Sequence, residues 1–309
     1  MITYIQLFNK YCIVLLMLVF AMGCTAPRSI TNSGKVTPAG QFRAGFNYGG
    51  NVATEPLSQL DDVARSAVDA VMNRDSVFYD EQIDVFARAI TAYALDPVGP
   101  AFDLYLRYGI APRVDAGYKY ASGAHVLDAM YQFMGATGTW QNPGPAGLYG
   151  SVGLQFSTQN LDLGSRFFLD RISSLFNYDA SRKDLVIPLI FSKSFGQEEE
   201  IGSISWGVAY NHTFIKYGFD PGNIFERVGG ERIKIDGFTA KNNFSSFGAF
   251  INAKFGYRYI YVLPAITIYY QDYGTYKLLG DREFSYSGMT FIPSIGLQAQ
   301  FGGRNRGKR

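Results

Sequence analysis

In the stretch Met289-Thr-Phe-Ile-Pro-Ser-Ile-Gly-Leu-Gln-Ala-Gln-Phe301, the residues Met289, Phe291, Pro293, Ile295, Leu297, Ala299 and Phe301 alternate with Thr290, Ile292, Ser294, Gly296, Gln298 and Gln300. One face is apolar and the other mostly small or polar, the period-two pattern of a half-buried strand. Roughly 9 to 11 residues suffice for a tilted strand to cross a bilayer, and this stretch is long enough and ends on an aromatic where an interface would fall.

The same rhythm recurs upstream. Phe42, Ala44, Phe46 and Tyr48 oppose Arg43, Gly45, Asn47 and Gly49. Phe102, Leu104, Leu106, Tyr108 and Ile110 oppose Asp103, Tyr105, Arg107 and Gly109, and Val114, Ala116, Tyr118 and Tyr120 oppose Asp115, Gly117 and Lys119. Further strands are expected near 125–133, 148–157, 185–194, 204–213, 247–256 and 259–270. That makes about ten strands (8–12) of an all-β, antiparallel transmembrane barrel over 41–301. The links 51–101, 158–184, 214–246 and 271–288 are long, while 111–113, 195–203 and 257–258 are short. The link 134–147 is longer than that rule allows and could hide a strand pair. Pro188 and Pro264 fall inside expected strands and predict bulges or strand ends.

The chain opens with Lys10 and the apolar run 11–22, too short for a spanning helix and of the form of an export signal. Ala21-Met-Gly-Cys24 resembles a bacterial lipoprotein signal. That resemblance implies removal of 1–23 and lipidation of Cys24, followed by a periplasmic linker over 24–40. Cleavage after Ala26, at the small-x-small site Cys24-Thr-Ala, is the competing reading. Cys12 leaves with the signal in either case, so the mature chain holds at most one cysteine and no internal disulfide.

With 22 Tyr, 25 Phe and 34 Gly and a mean hydropathy of −0.02, the composition suits a barrel whose lipid-facing and lumen-facing residues cancel. Loss of Lys10 takes the net charge from +2 to +1, which gives no field to steer nucleic acid. The basic tail over 302–309 reads as a solvated end. Between 54 and 95, Leu57, Leu60, Ala64, Ala67, Val68 and Val71, then Ile83, Phe86, Ala87, Ile90 and Ala94, recur at helical spacing. This predicts a helical insertion over 55–95 that fills or caps the pore, with Asp80 as N-cap of the second helix and Pro97 as its stop.

Two segments carry a family resemblance. Arg107-Tyr-Gly-Ile-Ala-Pro-Arg-Val-Asp-Ala-Gly-Tyr-Lys-Tyr120 is similar to a hairpin common in bacterial outer-membrane barrels. The octet Ser294-Ile-Gly-Leu-Gln-Ala-Gln-Phe301 resembles the terminal signal read by the barrel-assembly machinery, carried here by Ser294, Gly296, Ala299 and Phe301. The resemblance implies an outer-membrane location, with membrane lipid and the assembly machinery as partners.

Chemistry-bearing residues are sparse. Both histidines, His125 and His212, share parity with lipid-facing residues, which leaves neither aimed at a lumen carboxylate. Arg43, Asp103, Arg107, Asp115, Lys119 and Asp128 share the lumen face. There they form a structural ion network, with a polar constriction or a paired-carboxylate site as the alternative. No phosphate loop, metal-spaced His/Cys set or nucleic-acid motif is present, and no cofactor or metal is expected. The aromatic loops 158–184 and 214–246, with Phe167, Phe168, Phe176, Tyr178, Tyr217, Phe219 and Phe225, could bind a surface ligand or pack among themselves. The leading expectation is a non-enzymatic structural or small-molecule transport barrel. A surface adhesin or ligand-binding barrel is the alternative, and a lipid- or peptide-modifying enzyme the third.

Overall fold

Strands with one apolar and one polar face can meet lipid with the apolar side, but in lipid an open edge would leave backbone groups unpaired. The computed structural model, which describes residues 25, 27–59, 77–78, 81–145, 147–162, 177–222, 224–228, 231–279 and 282–302, resolves this by closure. Its elements are β1 (Gln41–Ala53), β2 (Val77–Phe78), α1 (Glu81–Leu95), β3 (Gly99–Ala111), β4 (Val114–Ala121), β5 (Ala124–Met134), β6 (Leu148–Asp162) and β7 (Tyr178–Phe195), then β8 (Gly202–Phe219), β9 (Ile224–Val228), β10 (Glu231–Lys234), β11 (Phe238–Tyr257), β12 (Ile260–Lys277) and β13 (Glu283–Gly302). Ten strands close in the order β1-β13-β12-β11-β8-β7-β6-β5-β4-β3, with β3 pairing back onto β1. Every expected strand is present. A small separate sheet, β10-β9-β2, went unseen in the sequence because its strands are only two to five residues long.

The parity read from sequence holds around the wall. Leu104 (50% exposed) and Leu127 (63%) point outward, whereas Arg107 (4%) and Asp115 (1%) point inward. The links at 112–113, 135–147, 196–201 and 258–259 define a turn end, where β1 begins and β13 finishes. The links 54–98, 122–123, 163–177, 220–237 and 278–282 define a loop end. The wall is uneven in height: β4 spans 8 residues, whereas β11 and β13 span 20 and project well past membrane depth at the loop end.

Prolines interrupt the ladders where a missing N–H demands it. Pairing between β6 and β7 skips from Val152↔Leu189 to Gln155↔Val186 around Pro188. Between β11 and β12 it skips from Asn252↔Ala265 to Phe255↔Val262 around Pro264, and between β1 and β13 from Gly49↔Ser294 to Val52↔Phe291 around Pro293. The link 134–147 hides no strand pair among its described residues, which form only the isolated bridge Thr139↔Asn142.

Of the expected insertion, a short helical turn over 54–59 and α1 are described, and α1 ends at Leu95, two residues before Pro97. The remainder of the first helix and Asp80 lie outside the described residues, as do Cys24, the signal segment and most of the basic tail.

Candidate functional site: the filled lumen and its two closures

About eight strands is the width at which inward side chains meet, so ten leave an axial space to fill. The chain fills it with its own N-terminal segment. The span read from sequence as a linker ahead of the barrel is instead inside it: Arg28, Lys35 and Thr37 are buried within the lumen. Periodicity could not reveal this, because 25–39 carries no regular secondary structure.

A strap without its own ladder must find partners for its backbone groups, and the lumen faces of the strands supply them. Gln159 Nε2 donates to Thr25 O (3.3 Å) and Gln155 Nε2 to Pro27 O (2.9 Å). Ile30 N donates to Thr267 Oγ1 (3.3 Å), and Asn252 Nδ2 donates to Ile30 O (3.3 Å) and Asn32 O (3.0 Å). Gly34 N then reaches Ser192 Oγ (3.0 Å), Val36 N reaches Gln132 Oε1 (3.2 Å) and Thr37 N reaches Asp115 Oδ2 (2.7 Å). Ile30 and Val36 also enter a small apolar cluster with Met130, Val186, Ile190, Phe250 and Ile292.

The lumen cluster read from sequence faces inward throughout but forms separate groups. Arg107 bridges Asp115 (2.5 Å) and Asp128 (2.6 Å). Lys119 lies 3.9 Å from Asp103, which also accepts from Asn47 Nδ2 (2.5 Å) and from Ser29 of the strap (3.2 Å). Arg43 donates to Lys35 O (2.8 Å) and stands 3.8 Å from Glu199.

Two further charge clusters were not anticipated. At the turn end, Glu198 and Glu199 hold positive φ (54° and 60°), strained for side chains other than glycine. That conformation aims both carboxylates inward. Glu198 pairs with Lys35 and accepts from Gly144 N (2.7 Å). Glu199 accepts from Lys254 Nζ (3.0 Å) and Ser33 Oγ (3.1 Å). Burial alone would raise the Glu199 carboxyl, but Lys254, Arg43 and Lys35 override it and hold it at about 2. The link 135–147 folds over this knot, with Lys35 Nζ on Gly138 O (3.0 Å) and the Arg258 guanidinium 5.1 Å above the Trp140 ring.

At the loop end the knot is Asp96, just past α1. It accepts from Arg28 Nη2 (2.6 Å), Asn51 Nδ2 (2.7 Å), Gln271 Nε2 (2.6 Å), Tyr273 OH (3.0 Å) and Thr290 Oγ1 (2.5 Å). Beside it, Arg182 is held by Asp184 (2.7 Å) and donates to Leu95 O (2.5 Å). α1 then closes the chamber between the tall strands, packing Phe86, Ala89, Ala92 and Leu95 among Tyr178, Tyr217, Phe219, Phe244, Tyr276 and Tyr286. Of the two readings left open for the loop aromatics, surface binding or packing among themselves, Tyr178, Tyr217 and Phe219 take the second, buried under the helix. The helix caps the loop end, and the strap, not the helix, plugs the lumen. Arg28, Lys35, Asp96, Glu198 and Glu199 escaped strand parity because none lies on a strand. Arg182 and Asp184 carried the signal of opposite charges at i and i+2, in a stretch read as loop.

Among the described residues, the cavities beside the strap are small. Lumen cavities of about 30 and 20 Å³ adjoin Ser29 and Asn47, each enough for a water or two and far below a ligand pocket. Larger hollows lie outside the lumen. A 610 Å³ groove on the lipid-facing wall follows the proline gaps past Gly50, Ala253, Pro264 and Pro293, and a 360 Å³ cleft at the loop end is lined by Asp179, Lys216, Tyr217 and Asp220.

Both histidines face outward. His125 meets Tyr118 OH at 2.7 Å, and His212 joins Ser245 Oγ (3.0 Å) and Tyr210 OH (3.3 Å) beside Phe247. Among the described residues no set of three or more His, Cys, Asp or Glu side chains is placed to hold a metal. In the terminal octet, Phe301 is exposed on the outer face, and a Cβ on Gly296 would fall 1.9 Å from Asn47 Oδ1, which explains glycine at that position.

A closed antiparallel barrel with an apolar outer belt and a polar, filled interior is a transmembrane β-barrel, the class housed by bacterial outer membranes. No family model matches the chain, and no curated protein matches it in sequence. Among solved structures it is similar to the outer membrane protease OmpT from Escherichia coli (10% identity, TM-score 0.39, 87% of this chain and 100% of that one). It is also similar to Ail, the attachment invasion locus protein of Yersinia pestis (11%, 0.31, 85% and 99%), and to OprG from Pseudomonas aeruginosa (11%, 0.31, 88% and 100%). The class rests on this barrel's own geometry.

Proposed function

We propose that this chain is a non-enzymatic protein of the bacterial outer membrane that works as a sealed barrel, a structural scaffold whose working face is the loop end. The observation that carries this is the strap, hydrogen-bonded from Thr25 to Thr37 down the lumen, with residual cavities of about 30 and 20 Å³. Of the roles expected from sequence, the structural one fits this filling and steady small-molecule transport does not. The test is a planar bilayer. The intact protein is expected to give no steady current, and a variant lacking 27–37 is expected to conduct. Steady conductance through the intact chain would sink the proposal.

A second reading, a surface ligand-binding barrel, is favoured by the loop-end cleft of 360 Å³ with Asp179, Lys216 and Asp220 on its walls. An anionic surface ligand should then lose affinity in Lys216→Glu and a cationic one gain it, measured on whole cells. The lipoprotein signal supports an acyl group on Cys24, tested by palmitate labelling that vanishes in Cys24→Ser. Ser294, Gly296, Ala299 and Phe301 support delivery by the barrel-assembly machinery.

A further inference from the structure

We propose that the strap carries the mature N-terminus through the barrel to the loop end, so that an acyl group on Cys24 would enter the leaflet at the loop end and not the one at the turn end. The clauses on the N-terminus and its acyl group rest on the lipoprotein reading; the direction in which the strap threads the barrel does not.

The direction of travel is fixed by the order of the strap's partners. Thr25 O is held by Gln159, three residues before the loop end of β6, and the same Gln159 donates to Ser122 O in the loop-end turn (3.1 Å). Pro27 O is held by Gln155, two inward-facing steps lower than Gln159, with Ser157 between them. Arg28 meets Asp96 in the loop-end knot. Ile30 and Asn32 sit at mid-wall on Thr267 and Asn252. Gly34 is at Ser192, three residues from the turn end of β7, and Thr37 is at Asp115, the second residue of β4. The partners of the backbone groups run in order from the loop end to the turn end, so the strap makes a single pass. The 13 steps from residue 25 to 38 can span about 45 Å when extended, which exceeds the roughly 30 Å of bilayer hydrocarbon. The only exit consistent with Thr25 is the loop end, and Cys24 precedes it by one peptide unit.

The segment cannot be threaded once the wall has closed, because both mouths are occupied: α1 and Asp96 at one, the 135–147 link over Glu198 and Glu199 at the other. The barrel therefore closes around the strap, which makes its direction a property of assembly that persists in the mature protein.

The experiment places one peptide tag in each of three full-length chains: between Cys24 and Thr25, within 163–176, or after Arg309. Antibody binding to intact and to permeabilised cells is then compared. The N-terminal tag is expected to match the 163–176 tag in accessibility, whichever membrane face that is, and to oppose the C-terminal tag by at least tenfold. Matching the C-terminal tag overturns the proposal. The mass of the N-terminal peptide is read separately. An unacylated terminus with loop-end accessibility retires the lipid anchor and leaves the topology standing. If cleavage after Ala26 removes the tag, two cysteine pairs decide. Pro27→Cys with Gln155→Cys and Val36→Cys with Gln132→Cys should each form a disulfide, detected as linked peptides. Linkage of the second pair without the first overturns the threading.

Discussion

At membrane depth the barrel is filled by amides, hydroxyls and ion pairs that satisfy an extended strap. Above it, between the tall strands, it is filled by one helix against a shell of aromatic rings. The two fillings solve different problems. An unpaired backbone needs a partner for each N–H and C=O, so the surrounding wall must be polar. A helix has already paired its backbone and needs only apolar surface, which Tyr178, Tyr217, Phe219, Phe244 and Tyr286 provide. Geometry thus divides the interior into a part that fixes the path of the chain and a part that covers it. Asp96 joins the two, since it follows α1 and holds Arg28 of the strap.

The largest effect is expected at that joint. Asp96→Ala leaves Arg28 buried without its counter-charge, and such a loss costs about 3–5 kcal/mol. Refolding titrations in detergent should show that fall in stability, and the strap and α1 should lose hydrogen-exchange protection together. Loss in one region alone would mean that they are independent. Phe86→Ala, in the apolar filling only, should cost about 3 kcal/mol and loosen α1 while Ile30 to Thr37 stay protected. Exchange of the strap in that variant would break the division drawn here.

The turn-end knot sharpens the polar side of the comparison through pH. Glu199 is held at about 2 against an ordinary value of 4.5, so its contribution to stability is complete above about pH 4.5 and is lost as pH falls toward 2. The melting temperature in detergent should decline across that window. Glu199→Gln, which accepts hydrogen bonds but carries no charge, should lower the plateau and flatten the decline. A wild-type profile flat from pH 5 to pH 2 would contradict the assignment.

How far the sequence reached follows the same division. The wall was legible strand by strand, because a face against hydrocarbon enforces a strict period of two on residues such as Leu104, Leu106 and Tyr108. The lumen positions of Arg43, Asp103, Arg107, Asp115, Lys119 and Asp128 came from the same rule. What fills the lumen was not legible. The strap has no periodicity to read, and Arg28 and Lys35 look like any solvated charges ahead of a domain. Asp96 follows a helix, and Glu198 and Glu199 lie in the link 195–203, places about which strand parity says nothing. Their burial is set by which segments meet after closure, a fact of topology that no local window contains. The helical spacing was visible and left filling and capping the pore both open; α1 takes the capping place, because the strap already occupies the lumen.

The smallest effect belongs outside both fillings. Arg258 stands at the last turn, donating to Glu200 at 2.6 Å, with its side chain 39% exposed and that of Glu200 27%. A pair so open to solvent is screened by water and contributes little, and the stacking over Trp140 adds little more. Arg258→Ala should therefore barely move the unfolding midpoint, whereas Lys35→Ala, which strands Glu198 inside the same closure, should destabilise several-fold more. Comparable losses in the two variants would mean that the turn end is held from its surface and not from the buried carboxylates, and the strap would then be a passenger in the lumen instead of one of its fastenings.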